Sequence, residues 1–168
     1  MVHYKLYKPI RFRKYIPENC RVIRFIEGPI SGDIEVGEGL YATYNGLEQE
    51  LTVSAPELIY SNEDCSGMFS FLTELETLDF SNFDTTYAID MNNMFAACWN
   101  LVNVDLNNFK TDNVINMSNM FDCCKSVECL DLTSFNLDSL EEEYDMFVGC
   151  YCLKDIKVSE ESKRLKGI

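Results

Sequence analysis

The chain has 168 residues, 46% of them hydrophobic, with 28 acidic and 14 basic side chains and a net charge of −14. A surface of that charge repels nucleic acid and attracts basic protein grooves. There is one histidine, His3, and no glycine-rich phosphate loop, histidine-based metal motif or G-x-S-x-G, so no enzyme activity and no cofactor are expected.

Residues 1–61 read as a β-rich N-terminal cap region. Strand-like runs at Arg21 to Ile26, Ile34 to Val36, Leu40 to Tyr44 and Leu47 to Val53 are broken by Gly28-Pro29, Gly32-Asp33, Gly37 and Pro56. Asn45-Gly46 between two such runs marks a hairpin. About 60 residues make a marginal core alone, which favours a cap over the first layer of a solenoid. Glu48 to Gly67 is the expected place of a degenerate first repeat.

From residue 62 to 159 a period takes over. Met-Phe recurs at Met68-Phe69, Met94-Phe95, Met120-Phe121 and Met146-Phe147, at intervals of 26 residues. Leu75, Leu101, Val127 and Leu153 follow, then Leu78, Val104, Leu130 and Ile156, then Phe80, Leu106, Leu132 and Val158. This L-x-x-L-x-L spacing is the strand signature of a leucine-rich repeat. Phe83, Phe109 and Phe135 are expected as an inner aromatic column. Cys65, Met68, Phe69 and Leu72, and their counterparts one and two repeats on, fall at i, i+3, i+4 and i+7, which predicts a short one-sided helix. Ser66, Asn92 and Ser118 stand where a helix would be capped.

The unit Asp105-Leu106-Asn107-Asn108-Phe109-Lys110-Thr111-Asp112-Asn113-Val114, running on to Asn116-Met117-Ser118-Asn119-Met120-Phe121, resembles the BspA-like leucine-rich repeat. The resemblance implies an α/β repeat, a leucine-rich-repeat solenoid of short parallel strands and short helices. It also implies a protein-binding role without catalytic residues, in a family known mostly from secreted or surface proteins. The chain departs from the family at Leu140-Glu141-Glu142-Glu143-Tyr144, where the pattern is lost, and in showing no export signal and no long array.

Residues 160–168 read as a polar C-terminal tail. No complete cap is expected after Val158, which leaves self-association through that edge open. The centre of the strands reads Asp79, Asp105, Asp131, Lys157, a like-charge ladder that has to be solvated or paired. Lys157 and its basic neighbours suit an edge strand.

Residues 40–153 hold 20 acidic residues against Lys110 and Lys125, a net of −18, so the acidity lies in the repeats. Eight cysteines without an apolar leader predict a cytoplasmic protein with reduced thiols. Cys98, Cys124 and Cys150 share one inward position. Cys123, Cys129 and Cys152 break the inward pattern and could meet as a zinc site, although their spacing matches no paired-cysteine motif.

The expected partner-binding residues are Thr77, Asp79, Asn103, Asp105, Asn107 and Asp131 on the concave strand face, with Cys129 and Lys157 beside them. The rival is the run Glu141, Glu142, Glu143 and Tyr144. The expected function is that of a non-enzymatic, acidic protein-binding module. It would be an intracellular inhibitor docking on a basic, nucleic-acid-binding protein, in general character like phage anti-CRISPR or anti-defence proteins. The alternative is a BspA-like surface adhesion or recognition protein.

Overall fold

A computed structural model describes residues 3–167 of the chain. The N-terminal region holds β1 (Tyr4–Lys5), a one-turn helix α1 (Pro9–Phe12), and strands β2 (Val22–Glu27), β3 (Ile34–Gly37), β4 (Leu40–Asn45), β5 (Glu50–Ala55) and β6 (Ile59–Tyr60). The repeats contribute β7 (Thr77–Asp79), β8 (Phe83–Asp84), β9 (Asn103–Val104), β10 (Cys129–Leu132) and β11 (Asp155–Val158). Parallel pairing stacks β2, β7 and β9 along one side, and β10 with β11 further on. A second side stacks β1, β6 and β8. A third is marked by single bridges Asp64 to Asp90, Asp90 to Asn116 and Asn116 to Glu142. The architecture is a repeat solenoid whose rungs have three hydrogen-bonded sides.

The first rung is in two pieces. Its strand is β2, in register with β7 through Ile23 opposite Leu78 and Arg24 opposite Asp79. The chain then leaves through the antiparallel β3–β4–β5 meander and returns at β6 to complete the rung against β8. The degenerate first repeat expected over Glu48 to Gly67 is therefore corrected, because its strand comes from Val22–Glu27. The hairpin at Asn45-Gly46 is present between β4 and β5, with Asn45 Oδ1 accepting from the N–H groups of Leu47 and Glu48.

The core is a set of columns running down the solenoid. Phe69, Phe95, Phe121 and Phe147 stack with ring centroids 5.7, 5.1 and 6.0 Å apart. Phe83, Phe109 and Phe135 form the expected second column at 6.4 Å per step. Phe12 of α1 seals the N-terminal end against Phe25 and Phe69.

The short helices expected in the repeats are absent, and turns stand in their place. Each repeat has two residues with left-handed backbone four apart: Gly67 and Phe71, Asn93 and Ala97, Asn119 and Cys123, Asp145 and Gly149. A left-handed residue ends a helical turn after its first hydrogen bond. Alternate amides then point in different directions. Met68, Ser70 and Leu72 bond back three residues, whereas Cys65, Gly67, Phe69 and Phe71 donate to Asp90, Asn92, Met94 and Ala96 of the next rung. Two four-residue turns produce the same i, i+3, i+4, i+7 apolar spacing as one helix, which is why the spacing misled. The expected caps are also reversed. Ser66, Asn92 and Ser118 donate their N–H groups to Asp64, Asp90 and Asn116 side chains two residues before them.

Gly67 tests this geometry by sign. Gly67→Ala stabilises a helix interior by about 1 kcal/mol, but at a φ of 60° it costs about 1 kcal/mol or more. The expected result is a lowered urea midpoint; a raised one rejects the double-turn description.

The C-terminal residues are more than a polar tail. Leu165 and Ser162 are fully buried, and the Ser162 hydroxyl donates to the Phe135 carbonyl at 2.8 Å. Residues 159–167 thus cover part of the last rung, where the sequence suggested no cap. Phe147 is buried, while Leu153, Ile156 and Val158 are only partly so.

Candidate functional site

The predicted strand-face residues are brought together, and the fold explains why their charges coexist. Thr77 lies opposite Asn103, and Asp131 lies opposite Lys157. Each ladder aspartate turns one oxygen to the backbone two residues on: Asp79 to Ser81 N at 3.0 Å, Asp105 to Asn107 N at 3.0 Å and Asp131 to Thr133 N at 3.2 Å. The Thr133 hydroxyl holds the Asp131 carboxyl below the usual carboxylate range against partial desolvation, with Thr133 N–H and Lys157 adding to it. Lys157 Nζ sits 3.7 Å from Asp131.

The other end of the ladder is closed by a residue that sequence reading missed. Arg24 reaches Asp79 at 3.2 Å and Glu50 at 3.0 Å. Its role was hidden because β2 lies 55 positions before β7, outside the 26-residue period. Arg21 with Glu76 and Lys154 with Glu128 add two more ion pairs on the same side. The strand face is thus largely neutralised from within. β9 and β10 exchange no ladder bonds among the described residues, and a shallow cleft opens there between Val102, Val104, Asp105, Glu128 and Cys129.

The rival acidic run lies on a different side and keeps the repeat register that its sequence seemed to lose. Glu141 N and Glu142 N both donate to the Ile115 carbonyl, and the Tyr144 carbonyl accepts from Asn119 N. Asn116 donates its side-chain amide to Glu142 at 2.8 Å. Glu143 takes the column position of the buried Met91 and Met117, with an oxygen 3.2 Å from Arg164 in ion-pair contact without an aligned hydrogen bond. Tyr144 is exposed. Glu141 to Tyr144 therefore form no common site with the strand-face residues.

The inward cysteines act as small donors. Cys98, Cys124 and Cys150 thiols point at the carbonyls of Phe69, Phe95 and Phe121, at 3.1, 3.2 and 3.0 Å. Burial pushes the Cys98 thiol up to about 12 and the Cys150 thiol up to about 11, and raises Cys124 as well. Cys129 and Cys152 are exposed. No three His, Cys, Asp or Glu side chains gather closely enough to hold a metal among the described residues, so Cys123, Cys129 and Cys152 do not converge as a site. Since the thiolate is the nucleophile, alkylation of the folded protein should modify Cys129 and Cys152 first. Cys65, Cys98 and Cys124 should react only after denaturation, as peptide mass mapping would record; early labelling of Cys98 or Cys124 contradicts the buried column.

Among the described residues no helix is long and apolar enough to cross a membrane. Residues 63–163 match the family model described as "Mycoplasma protein of unknown function, DUF285". Neither the curated proteins nor the solved structures compared with the chain include a match.

Proposed function

The chain belongs to the DUF285 family, whose model matches residues 63–163; we propose that it is a non-enzymatic protein-binding module of the cytoplasm. It docks on a basic, nucleic-acid-binding protein and inhibits it by covering the groove that nucleic acid would enter. The observation that carries this reading is the separation of charge along the chain. Residues 40–153 hold 20 acidic and two basic residues, and beyond the acids that Arg21, Arg24, Lys154, Lys157 and Arg164 pair the repeated rungs still carry an excess of unpaired carboxylates. Such a surface speeds encounter with a cationic groove and is sensitive to salt. The rungs are a form of BspA-like leucine-rich repeat in which the helical side has collapsed into the double turn.

The second reading, a BspA-like surface adhesion or recognition protein, draws on the same repeat units. Salt separates the two. The reduced protein, immobilised and exposed to bacterial lysate, is expected to retain a nucleic-acid-binding protein at low salt and release it at high salt, with loss of that protein's nucleic-acid binding in the complex. Partners that are extracellular or cell-wall proteins, held equally at high salt, would reject the inhibitor in favour of the adhesin.

A further inference from the structure

The third side of the solenoid has a composition unlike the strand face. Its residues are 63–64, 87–90, 113–116 and 139–142, and they include Glu63, Asp64, Asp90, Glu141 and Glu142 but no lysine or arginine. None of those five carboxylates is in an ion pair among the described residues, whereas the strand face spends Arg21, Arg24, Lys154 and Lys157 on its own acids. Cations border this side only at its ends: Lys5 at the N-terminal end, in a cleft with His3, Tyr60, Glu63 and Tyr87, and Arg164 at the C-terminal end, on the Leu140 carbonyl and already paired with Glu143.

Large apolar side chains lie exposed between the acids. Ile89 and Ile115 are each 41% exposed and Tyr87 is 48% exposed; Tyr87 rests against Tyr60 with ring centroids 5.5 Å apart. Backbone bonds place one column in order along the axis. Ile89 N donates to Glu63 O at 2.7 Å, Ile115 N to Ile89 O at 2.9 Å and Glu141 N to Ile115 O at 2.9 Å. The column reads acid, apolar, apolar, acid. Trp99, another exposed aromatic, differs in that Lys125 already covers it, 4.0 Å from its ring centroid.

We infer that this side, centred on Glu63, Ile89, Ile115 and Glu141, is the docking surface, and that its occupant is an extended segment of a protein partner with lysine or arginine four residues apart and an apolar residue midway. The inference rests on the proposed function and replaces the strand face as the place of contact. Glu63 and Glu141 are three rungs apart, about 14 Å at the usual ~4.8 Å spacing. An extended segment advances about 3.3 Å per residue, so side chains at i and i+4 on one edge lie about 13 Å apart and reach both carboxylates. The side chain at i+2 then falls between Ile89 and Ile115. Burial of the isoleucines supplies affinity, and the paired charges set register and orientation.

The probe is a fluorescent peptide of repeated Lys-Ser-Leu-Ser, with a peptide of the same composition but clustered lysines as its control, both followed by anisotropy at low salt. Wild type is expected to favour the first peptide. Glu63→Gln with Glu141→Gln, two exposed acids without hydrogen-bonded side chains, should weaken it about tenfold. Ile89→Ser with Ile115→Ser should do the same with an unchanged circular dichroism spectrum. The charge-matched strand-face variant, Asp105→Asn with Asp155→Asn, should bind as wild type does. Loss in the strand-face variant with retention in the other two, or an equal loss in both charge variants, overturns this assignment and leaves the basic-partner reading standing. Failure of wild type to bind either cationic peptide overturns both.

Discussion

Phe95→Ala is expected to lower the unfolding free energy by about 3–5 kcal/mol, the range for deleting a buried aromatic side chain. Phe95 is fully buried and stacks on Phe69 and Phe121, with Phe80 and Phe109 also in ring contact at 6.2 and 6.3 Å. It thus supports the interfaces on both sides of its rung, and solenoid stability is largely a sum of rung and neighbour-interface contributions. Phe147, at the open end, stacks on Phe121 alone and is 9% exposed. Phe147→Ala should cost less than half as much. Urea unfolding at equilibrium checks both; similar losses at the two positions would mean that the column does not transmit stability between rungs.

The second large effect is expected at Asn82. The two N–H bonds of its side-chain amide are shared among the carbonyls of Ile26, Ala55 and Glu57, at 3.2, 3.1 and 2.9 Å. Those carbonyls lie on the two pieces of the split first rung, at the end of β2 and just where the chain returns from β5. Asn82 is 7% exposed, so Asn82→Ala would remove all three contacts at once, although the Ala55 carbonyl keeps the Gly28 N–H as a donor, at a cost of about 2 kcal/mol. Asn108, one rung on, makes only contacts of 3.4 Å to Phe80 and Ser81. Asn108→Ala should cost about 1 kcal/mol or less, in the range of one weak exposed bond. Hydrogen exchange adds a local readout, because Ile59 N donates to the Asn82 carbonyl. Faster exchange at Ile59 in Asn82→Ala, with little change at Met120, would confirm that Asn82 fastens the split. Uniform acceleration would assign the loss to the whole solenoid instead.

Much of the solenoid was legible from spacing alone. A 26-residue period in Met, Phe, Leu and Cys demands stacked, equivalent units, and the apolar positions named the core columns because only inward residues are held to one chemical type at every turn. The same reasoning located the Asp79, Asp105, Asp131 and Lys157 ladder, and the Asn-Gly turn signal located the hairpin at Asn45-Gly46 outside the period. It could not separate a helix from two successive four-residue turns. Both place apolar residues at i, i+3, i+4 and i+7, and the difference lies in left-handed backbone at Gly67, Phe71 and their counterparts. Asn93, Asn119 and Asp145 tolerate that conformation and carry a faint signal of it, whereas Phe71, Ala97 and Cys123 carry none.

Contacts outside the period were decided only by the tertiary structure. β2 joins the first rung across the whole β3–β5 meander, so neither Arg24 on Asp79 nor Asn82 across the split could be read from a local pattern. The tail closes back through Ser162, Arg164 and Leu165 for the same reason. Sequence also counted the acids of the repeats without telling which were already paired. Once folded, Arg21, Arg24, Lys154 and Lys157 fall beside the strand-face acids, and the side around Ile89 and Ile115 has no cation among its own residues. Charge number is a property of composition, but neutralisation depends on distance, and distance between residues far apart in the chain exists only in the fold.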